Sequence, residues 1–437
     1  MQAERNENRL HYQFVRRYQE QLIVILSIAL QIPLAIFLGH YYDDRVFMAT
    51  GYLVSSGLSP YQPFQLASIF HNPLFTGHIQ NIGYPPPWPL LLGLDYRVSF
   101  NLIPNLFLYN FAIKVPIIAA NVILSYLVRD LIIKLRADKK MAQFAWLFIL
   151  FNPFVLLTTT AWGEFDTLVA LLCIFSLFLL SKERTEGAAV SLGLAVVLKP
   201  IVIPLVGLPL LYSSSNSYTK NIKYFLIFSL TVLAFYFLPF LFLGWPLPWA
   251  PNQWTAIPRM AGGMTLFNLV EIFQNTQSFS SSFEFMGYLW IPALLVGYYV
   301  VSRNRPTSMN VLVQKAIGLM LIFFLTRSWL SEPNVNLVLP LMLLGVSSKE
   351  KLSFRNFHFA WIIPLVFLFL NTSFPQLFFL VDPSMPTALV QLDQQIRNVR
   401  LWARFAVVIP WQILCWNVVL QKLRIQPQMK LTQKNNL

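Results

Sequence analysis

Two adjacent acids, Asp43 and Asp44, stand directly after the first long apolar run of the sequence. Neighbouring carboxylates raise each other's pKa, so such a pair can act as a general base or bind a cation. The alternative interpretation is a solvated loop, since two acids after a helix are a common surface feature. The pair is the first candidate for chemistry in the chain.

A second pair of acids, Glu164 and Asp166, lies in the segment Trp162-Gly163-Glu164-Phe165-Asp166, just before an apolar run that begins at Leu168. Ionised side chains at the end of an apolar run are costly unless they are paired or used. The structural alternative is that Asp166 caps the helix that follows. The segment therefore predicts either a polar site or a helix cap.

Two cations occupy comparable positions. Lys199 separates two short apolar runs, and Arg327 opens a polar island that ends at Asn334. Each of these cations must reach the interface, pair with an acid or bind an anion. The structural alternative for the island is an ion pair between Arg327 and Glu332. His and Cys residues do not occur at the spacing of a zinc site, so no zinc is expected.

The elements that must hold these residues are membrane-spanning helices. Of 437 residues, 56% are hydrophobic and only 11% are charged, whereas a soluble domain carries about a quarter charged residues. Successive apolar runs approach the ~20 residues that cross a bilayer, which predicts an all-α polytopic membrane bundle of about twelve transmembrane helices. The two cysteines lie inside apolar runs, so a disulfide is not expected.

The predicted spans are 21–39, 105–128, 141–157, 166–180, 187–198, 201–212, 223–243, 285–301, 316–326, 335–346, 359–371 and 401–420. Several of these runs are too short for a straight crossing, so two of them could form a broken or re-entrant pair.

The net charge of +14 follows the predicted topology. If the N-terminus is cytoplasmic, most Lys and Arg residues fall in inner segments, as the positive-inside rule requires. Both termini are then cytoplasmic, and the long connections 40–104, 244–284 and 372–400 lie outside. Residues 40–104, 158–166 and 244–284 are expected to build an outer vestibule. Anionic lipid head groups explain the basic excess, and nucleic acid is not needed.

The placement of charge also separates classes of function. Transporters usually carry ionisable residues near the membrane midplane, whereas the predicted spans here are nearly free of charge and the acids crowd the outer helix ends. This distribution favours an enzyme at the outer leaflet over a transporter, a lipid flippase or a structural subunit.

Taken in order, the motifs resemble the GT-C superfamily of membrane glycosyltransferases. The likeness is strongest to the prokaryotic polyprenyl-phosphate-mannose-dependent mannosyltransferases and to the first mannosyltransferase of GPI-anchor synthesis. It rests on Asp43-Asp44-Arg45-Val46-Phe47, Gly57-Leu58-Ser59-Pro60-Tyr61, Tyr84-Pro85-Pro86, Asn152-Pro153, Gly163-Glu164-Phe165-Asp166 and the run from Gly187 to Lys199-Pro200. Residues 20–212 form the GT-C-like module of a single membrane domain spanning 1–437, and residues 213–437 form its more variable helices.

The resemblance implies a reaction in which an acceptor hydroxyl attacks the anomeric carbon of a polyprenyl-phosphate sugar, with inversion. Register against Val46-Phe47 places Asp43 at the catalytic acid, with Asp44 as the alternative. The cations that would stabilise the departing phosphate are Lys199, Arg259 and Arg327. Further substrate-binding residues implied by the resemblance are Tyr61, Tyr84, Glu164 and Asp166, and Glu332 is added because it lies in the same outer segment as Arg327.

The implied partners are a polyprenyl-phosphate sugar, with mannose as the sugar that the resemblance implies, a lipid-linked or protein-linked glycan acceptor, and membrane lipids. A cofactor is not required, and a divalent metal is left open. The implied location is the plasma membrane, or the endoplasmic reticulum in a eukaryote. A glycan polymerase or ligase with a diphosphate-linked donor is the second enzymatic alternative.

Overall fold

The computed structural model describes residues 2–61, 75, 81–212, 217–247, 259–346, 351–372 and 374–424. Helices α1 to α16, in chain order, are Gln2–Phe37, Asp43–Ser55, Pro87–Val98, Leu106–Arg136, Lys139–Phe151, Pro153–Leu156, Asp166–Leu180, Thr185–Leu198, Leu208–Leu211, Tyr218–Phe242, Asn268–Gln274, Trp290–Arg303, Met309–Thr326, Leu339–Gly345, Lys351–Asn371 and Met385–Leu423. The strands β1 (Gly262–Gly263) and β2 (Trp329–Leu330) pair in parallel.

The fold is an all-α polytopic membrane bundle, as the sequence predicts. Within the described residues, eight helical segments are long and apolar enough to cross a membrane: Tyr18–Phe37, Leu106–Arg136, Lys139–Ala161, Tyr218–Phe242, Ser281–Arg303, Met309–Thr326, Ser353–Asn371 and Gln391–Leu423. The apolar helices α7, α8 and Pro200–Leu211 are shorter. At 1.5 Å per residue, the 15-residue α7 spans only about 22 Å. The expected count of twelve spans is therefore not confirmed.

Most of the core is one continuous apolar cluster in which α4 packs against α1, α5 and α7, and a small second cluster contains Leu38, Ala161 and Leu377. Helix α8 lies against both α7 and α10, and α16 packs against α13 and α15. Large apolar side chains on α10, such as Leu230, Leu241 and Phe242, remain exposed. An apolar face of this kind suits contact with lipid tails.

A break after α5 brings the segment of Glu164 and Asp166 to the end of the bundle. Asn152 Oδ1 accepts hydrogen bonds from the backbone N–H groups of Phe154 and Val155, at 2.9 and 3.2 Å, and so caps α6. Helix α6 runs into a π-helical turn at Leu157–Ala161. Such turns are rare and are often found at functional sites.

The spans carry more charge than the sequence interpretation assumed. Lys114 in α4, Lys315 in α13 and Arg404 in α16 are all buried within segments that could cross the membrane. Each of them has protein acceptors, since Lys315 donates to the Lys422 carbonyl and Arg404 pairs with Glu271 at 3.2 Å. A buried cation in a span is tolerated when it is paired in this way.

Candidate active site

Polar side chains gather where α1, α8 and the π-helical turn end and where α2 and α7 begin. The connection from α1 to α2 supplies Asp43 and Asp44, and the residues after the π-helical turn supply Glu164 and Asp166. Lys199 follows α8 directly. The structure thus brings together three short motifs that lie far apart in the sequence.

Asp43 is a partly exposed and well anchored carboxylate. Its side chain is 20% exposed, and its Oδ2 lies 2.8 Å from Nδ1 of His40 and accepts a hydrogen bond from Nε1 of Trp162 at 2.7 Å. Oδ1 accepts no hydrogen bond within the part of the chain that the structure describes. Burial raises the pKa of Asp43, but His40, Trp162 and the more distant Lys199 outweigh burial and hold it below the ordinary value. Asp43 is therefore ionised and keeps one oxygen open.

Asp44 is fully buried and is held by a lysine of α4. Nζ of Lys114 lies 3.2 Å from Oδ2 of Asp44 and also donates to the carbonyls of Leu38 and Ala161. Gly163 has a φ of +100°, and a Cβ there would lie 2.5 Å from Oδ1 of Asp44. Burial raises the pKa of Asp44 to about 7, against the opposing effect of Lys114. The two adjacent acids thus have different environments, and only Asp43 is accessible.

Lys199 sits between two acids. Its Nζ lies 3.0 Å from Oε2 of Glu164 and 2.7 Å from Oδ2 of Asp166. The hydroxyl of Tyr84 donates to Oε1 of Glu164 at 3.0 Å, and the amide of Asn334 donates to Oδ1 of Asp166 at 3.1 Å. All three charged side chains are at least nine-tenths buried. The cluster is a closed network with one more carboxylate than cation.

Electrostatics inside this network favour a charged lysine. Burial alone would lower the pKa of Lys199, but the carboxylates of Asp166 and Glu164 outweigh burial and raise it. Burial raises the pKa of Glu164, although Lys199 opposes this change. The cap alternative for Asp166 is wrong, because Phe165 is the cap residue of α7 and no side-chain hydrogen bond caps that end.

Arg327 directly follows α13 and has no acidic partner among the described residues. Its guanidinium lies 5.3 Å from the ring centroid of Phe323, and it forms no ion pair with any described residue. Tyr84 and Asp166, two members of the Lys199 network, both oppose the effect of burial on the pKa of Arg327. Burial lowers the pKa of Arg327 to about 10, so the side chain stays charged at neutral pH.

The ion pair considered between Arg327 and Glu332 is not present in the described structure. Glu332 is buried and instead accepts a hydrogen bond from the amide of Asn371 at 2.7 Å. Burial raises the pKa of Glu332, with smaller opposing effects from Asn371 and Arg404. Asn371 belongs to α15, so the acid is bound to another helix despite its closeness to Arg327 in sequence.

Two further residues expected at a substrate site occupy different surroundings. Tyr61 is buried, and its hydroxyl donates to the carbonyl of Tyr84 at 3.1 Å, so it helps to hold the backbone of Tyr84 in place. Arg259 is exposed and lies 3.6 Å from Glu284. The structure therefore joins Tyr61 and Tyr84 to the network and gives Arg259 a separate acidic partner. Much of the expected vestibule, including 62–74 and 248–258, lies outside the described residues.

Sequence reasoning missed His40, Lys114 and the role of Trp162. The ring of His40 stacks on Trp162 with centroids 4.0 Å apart. Lys114 carried a usable signal, because a lone lysine in an apolar run is expected to have a function or a partner. The sequence gives a weaker indication for His40, which is that it precedes Asp43 by three residues. The partner of Lys114 is 70 residues away in sequence, which no local pattern reveals.

Among the described side chains, no group of three or more His, Cys, Asp or Glu residues is arranged to hold a metal ion. Both cysteines are free and buried, in agreement with the sequence expectation. Within the described part of the chain, the arrangement offers a partly exposed carboxylate, Asp43, for proton abstraction and a cation without an acidic partner, Arg327, for an anion.

Comparison with known proteins identifies the family. Residues 84–348 match the profile of glycosyltransferase family 87. The matched range includes Tyr84, Glu164, Asp166, Lys199 and Arg327, and it extends well beyond residue 212. No curated protein matches the chain. The chain belongs to glycosyltransferase family 87, a GT-C-like family of membrane enzymes.

Proposed function

We propose that the chain transfers a hexose, with mannose as the first candidate, from a polyprenyl-phosphate sugar to a hydroxyl of a lipid-linked or protein-linked glycan. Membership of a glycosyltransferase family supports the transfer itself. The likeness of the Asp43, Tyr61 and Tyr84 motifs to mannosyltransferases supports the finer choice of donor. The anomeric carbon is inverted in the proposed reaction.

The observation that carries this proposal is an open carboxylate and an unpaired guanidinium beside one polar network. Oδ1 of Asp43 takes the proton of the acceptor hydroxyl as its oxygen bonds to the anomeric carbon. The bond from that carbon to the phosphate oxygen breaks, and its electron pair leaves with the polyprenyl phosphate. Arg327 stabilises the developing charge, since a cation placed there acts without being neutralised first.

The absence of a counterion for Arg327 favours a phosphate ligand. The outer segments beyond the described structure, 62–74, 76–80 and 248–258, contain no Asp or Glu, so they cannot supply one. Arg327 is half-buried and has no acidic partner among the described residues, so its charge is partly desolvated, and an anionic ligand would offset that cost. Arg also offers two parallel donors to a phosphate.

Lys199 suits a different role from the one implied by the resemblance. Two carboxylates at 3.0 and 2.7 Å already neutralise it, so little positive field remains for a phosphate. We assign it to holding Glu164 and Asp166 in place. The hydroxyl of Tyr84, which donates to Glu164 in this network, can then accept a hydrogen bond from a sugar hydroxyl.

We infer that the site faces the outside of the plasma membrane, or the lumen if the cell is eukaryotic, with both termini cytoplasmic. The support is the excess of Lys and Arg in the opposite connections. Single cysteines introduced at Ser55 and Gly57 should react with an impermeant thiol reagent from the outside only. Labelling from the cytoplasmic side would reverse the orientation.

The reaction is tested with purified protein in proteoliposomes and a panel of radiolabelled polyprenyl-phosphate sugars. We expect transfer from one of them, with inverted anomeric configuration, and none from the matching sugar nucleotides. Transfer from a nucleotide sugar would overturn the choice of donor. Movement of the lipid-linked sugar across the bilayer without transfer would support a flippase instead.

A further inference from the structure

His40 is fixed beside the proposed base by contacts on two sides. Its ring stacks on Trp162 at an interplanar angle of 15°, and its backbone N–H donates to the carbonyl of Trp162 at 3.1 Å. Nδ1 lies 2.8 Å from Oδ2 of Asp43. A ring held in this way has little freedom to turn away from the carboxylate.

The hydrogen bonds to Asp43 all fall on one oxygen. Trp162 and His40 both contact Oδ2, whereas Oδ1 accepts no hydrogen bond from the described residues. Two contacts on Oδ2 restrict the rotation of the carboxylate and leave Oδ1 without a hydrogen bond from the described residues. The imidazole itself is 18% exposed, so it can exchange protons with solvent.

We propose that His40 is a positioning residue for the transfer reaction: it aims Oδ1 of Asp43 at the acceptor and, as an imidazolium, keeps Asp43 ionised under acidic conditions. This inference rests on the proposed function of Asp43 as the base. His40 does not contact the substrate in this role, and it acts through Asp43 alone.

The charges around His40 favour its protonated form. Burial lowers the pKa of His40, but Asp43 outweighs burial and raises it, and Asp44 and Glu164 add to this effect. On the side of Asp43, the charge of Lys199 acts in the same direction as that of His40. An opposite charge within hydrogen-bond distance usually lowers the pKa of a carboxyl by about 1 to 3.

The pH profile of transfer tests the proposal. In His40→Gln, Asp43 loses its positive neighbour, so the acidic limb of kcat should move to higher pH by roughly one pH unit or more. His40→Asn, which can place an amide donor near Oδ2, should recover part of kcat at neutral pH but keep the displaced limb. His358→Gln in α15 is the matched control, and its profile should equal that of the unmodified enzyme.

A positioning role of His40 and a packing role of His40 predict different results. An acidic limb that stays in place in both His40 variants, with folded protein, would overturn the proposal and leave His40 as a packing residue. If transfer is not detected with any donor, the proposed function fails. The coupling is then measured directly from the ¹⁵N spectrum of the five histidines, in which His40 is assigned by its loss in a variant. Its titration should shift to lower pH in Asp43→Asn, and an unchanged titration would contradict the proposal.

Discussion

Replacing Lys114 by methionine should destabilise the protein strongly, because it removes one member of a fully buried ion pair. Lys114 and Asp44 have no exposed side-chain surface, and their atoms lie 3.2 Å apart. The substitution leaves a buried carboxylate without its cation. The carbonyl of Leu38 keeps the amide of Asn110 as a donor at 2.8 Å, so the loss is shared between the pair and the hydrogen bond from Lys114 to the carbonyl of Ala161.

Breaking a buried pair from one side typically costs about 3 to 5 kcal/mol. Lys315→Met is a matched control, because Lys315 is also buried in a span but, among the described residues, donates only to the carbonyl of Lys422, at 3.3 Å. Loss of that single hydrogen bond should cost about 1 kcal/mol. The free energies of unfolding would be measured in mixed micelles for both variants.

The double variant Lys114→Met with Asp44→Asn distinguishes the interaction energy of the pair from the separate effects of the two substitutions. Removing both charges should recover roughly 2 kcal/mol relative to the sum of the single variants, since contacting groups are not additive. Equal losses for Lys114→Met and Lys315→Met, or strict additivity in the double variant, would refute the assignment of Asp44 to a structural pair.

Four further outcomes follow from the site. Arg327→Ala should raise the KM for the donor without lowering the melting temperature, and Arg327→Lys should recover only part, because a point charge does not reproduce a bidentate contact; unchanged donor affinity would contradict the phosphate assignment. Lys199→Ala should instead cost about 3 kcal/mol of stability in thermal melts, because it leaves two buried acids facing each other. Gly163→Ala should cost about 1 to 3 kcal/mol, since its φ is positive and its Cβ would meet Asp44. The pKa of Asp44 is about 7 in the folded protein and near 4 in the unfolded chain. The protonated form of Asp44 therefore stabilises the fold fully below about pH 4, and this contribution is lost as the pH rises through about 7. In Asp44→Asn, the free energy of unfolding should vary less with pH across this range.

The fold class was predictable because hydropathy is a local property. Apolar segments such as 21–39 and 223–243 are long enough to predict a membrane-spanning helix without tertiary information, and nearly all of each segment is helical in the structure. The number of spans was not predictable from the same pattern. Whether a run as short as α7 crosses depends on its neighbours α4 and α8, which is a matter of packing.

The candidate site was predictable only in its parts. Ordered motifs indicated Asp43, Glu164 and Lys199, and the structure brings Lys199 to Glu164. The distinction between Asp43 and Asp44 could not be predicted, because it depends on Lys114 and Trp162, which are 70 and 119 residues away from their partners. Closeness in sequence was also misleading for Glu332, whose partner lies on α15.

The most direct test of the site is turnover per folded molecule in Asp43→Asn and Asp44→Asn, measured side by side with the polyprenyl-phosphate sugar that proves active. We expect Asp43→Asn to bind the donor normally and to lose roughly 10²-fold or more in turnover, the scale of a general base. Asp44→Asn should lose stability but keep turnover within about tenfold, because Asp44 is buried in its pair with Lys114. Normal turnover in Asp43→Asn would contradict the assignment of Asp43 as the base.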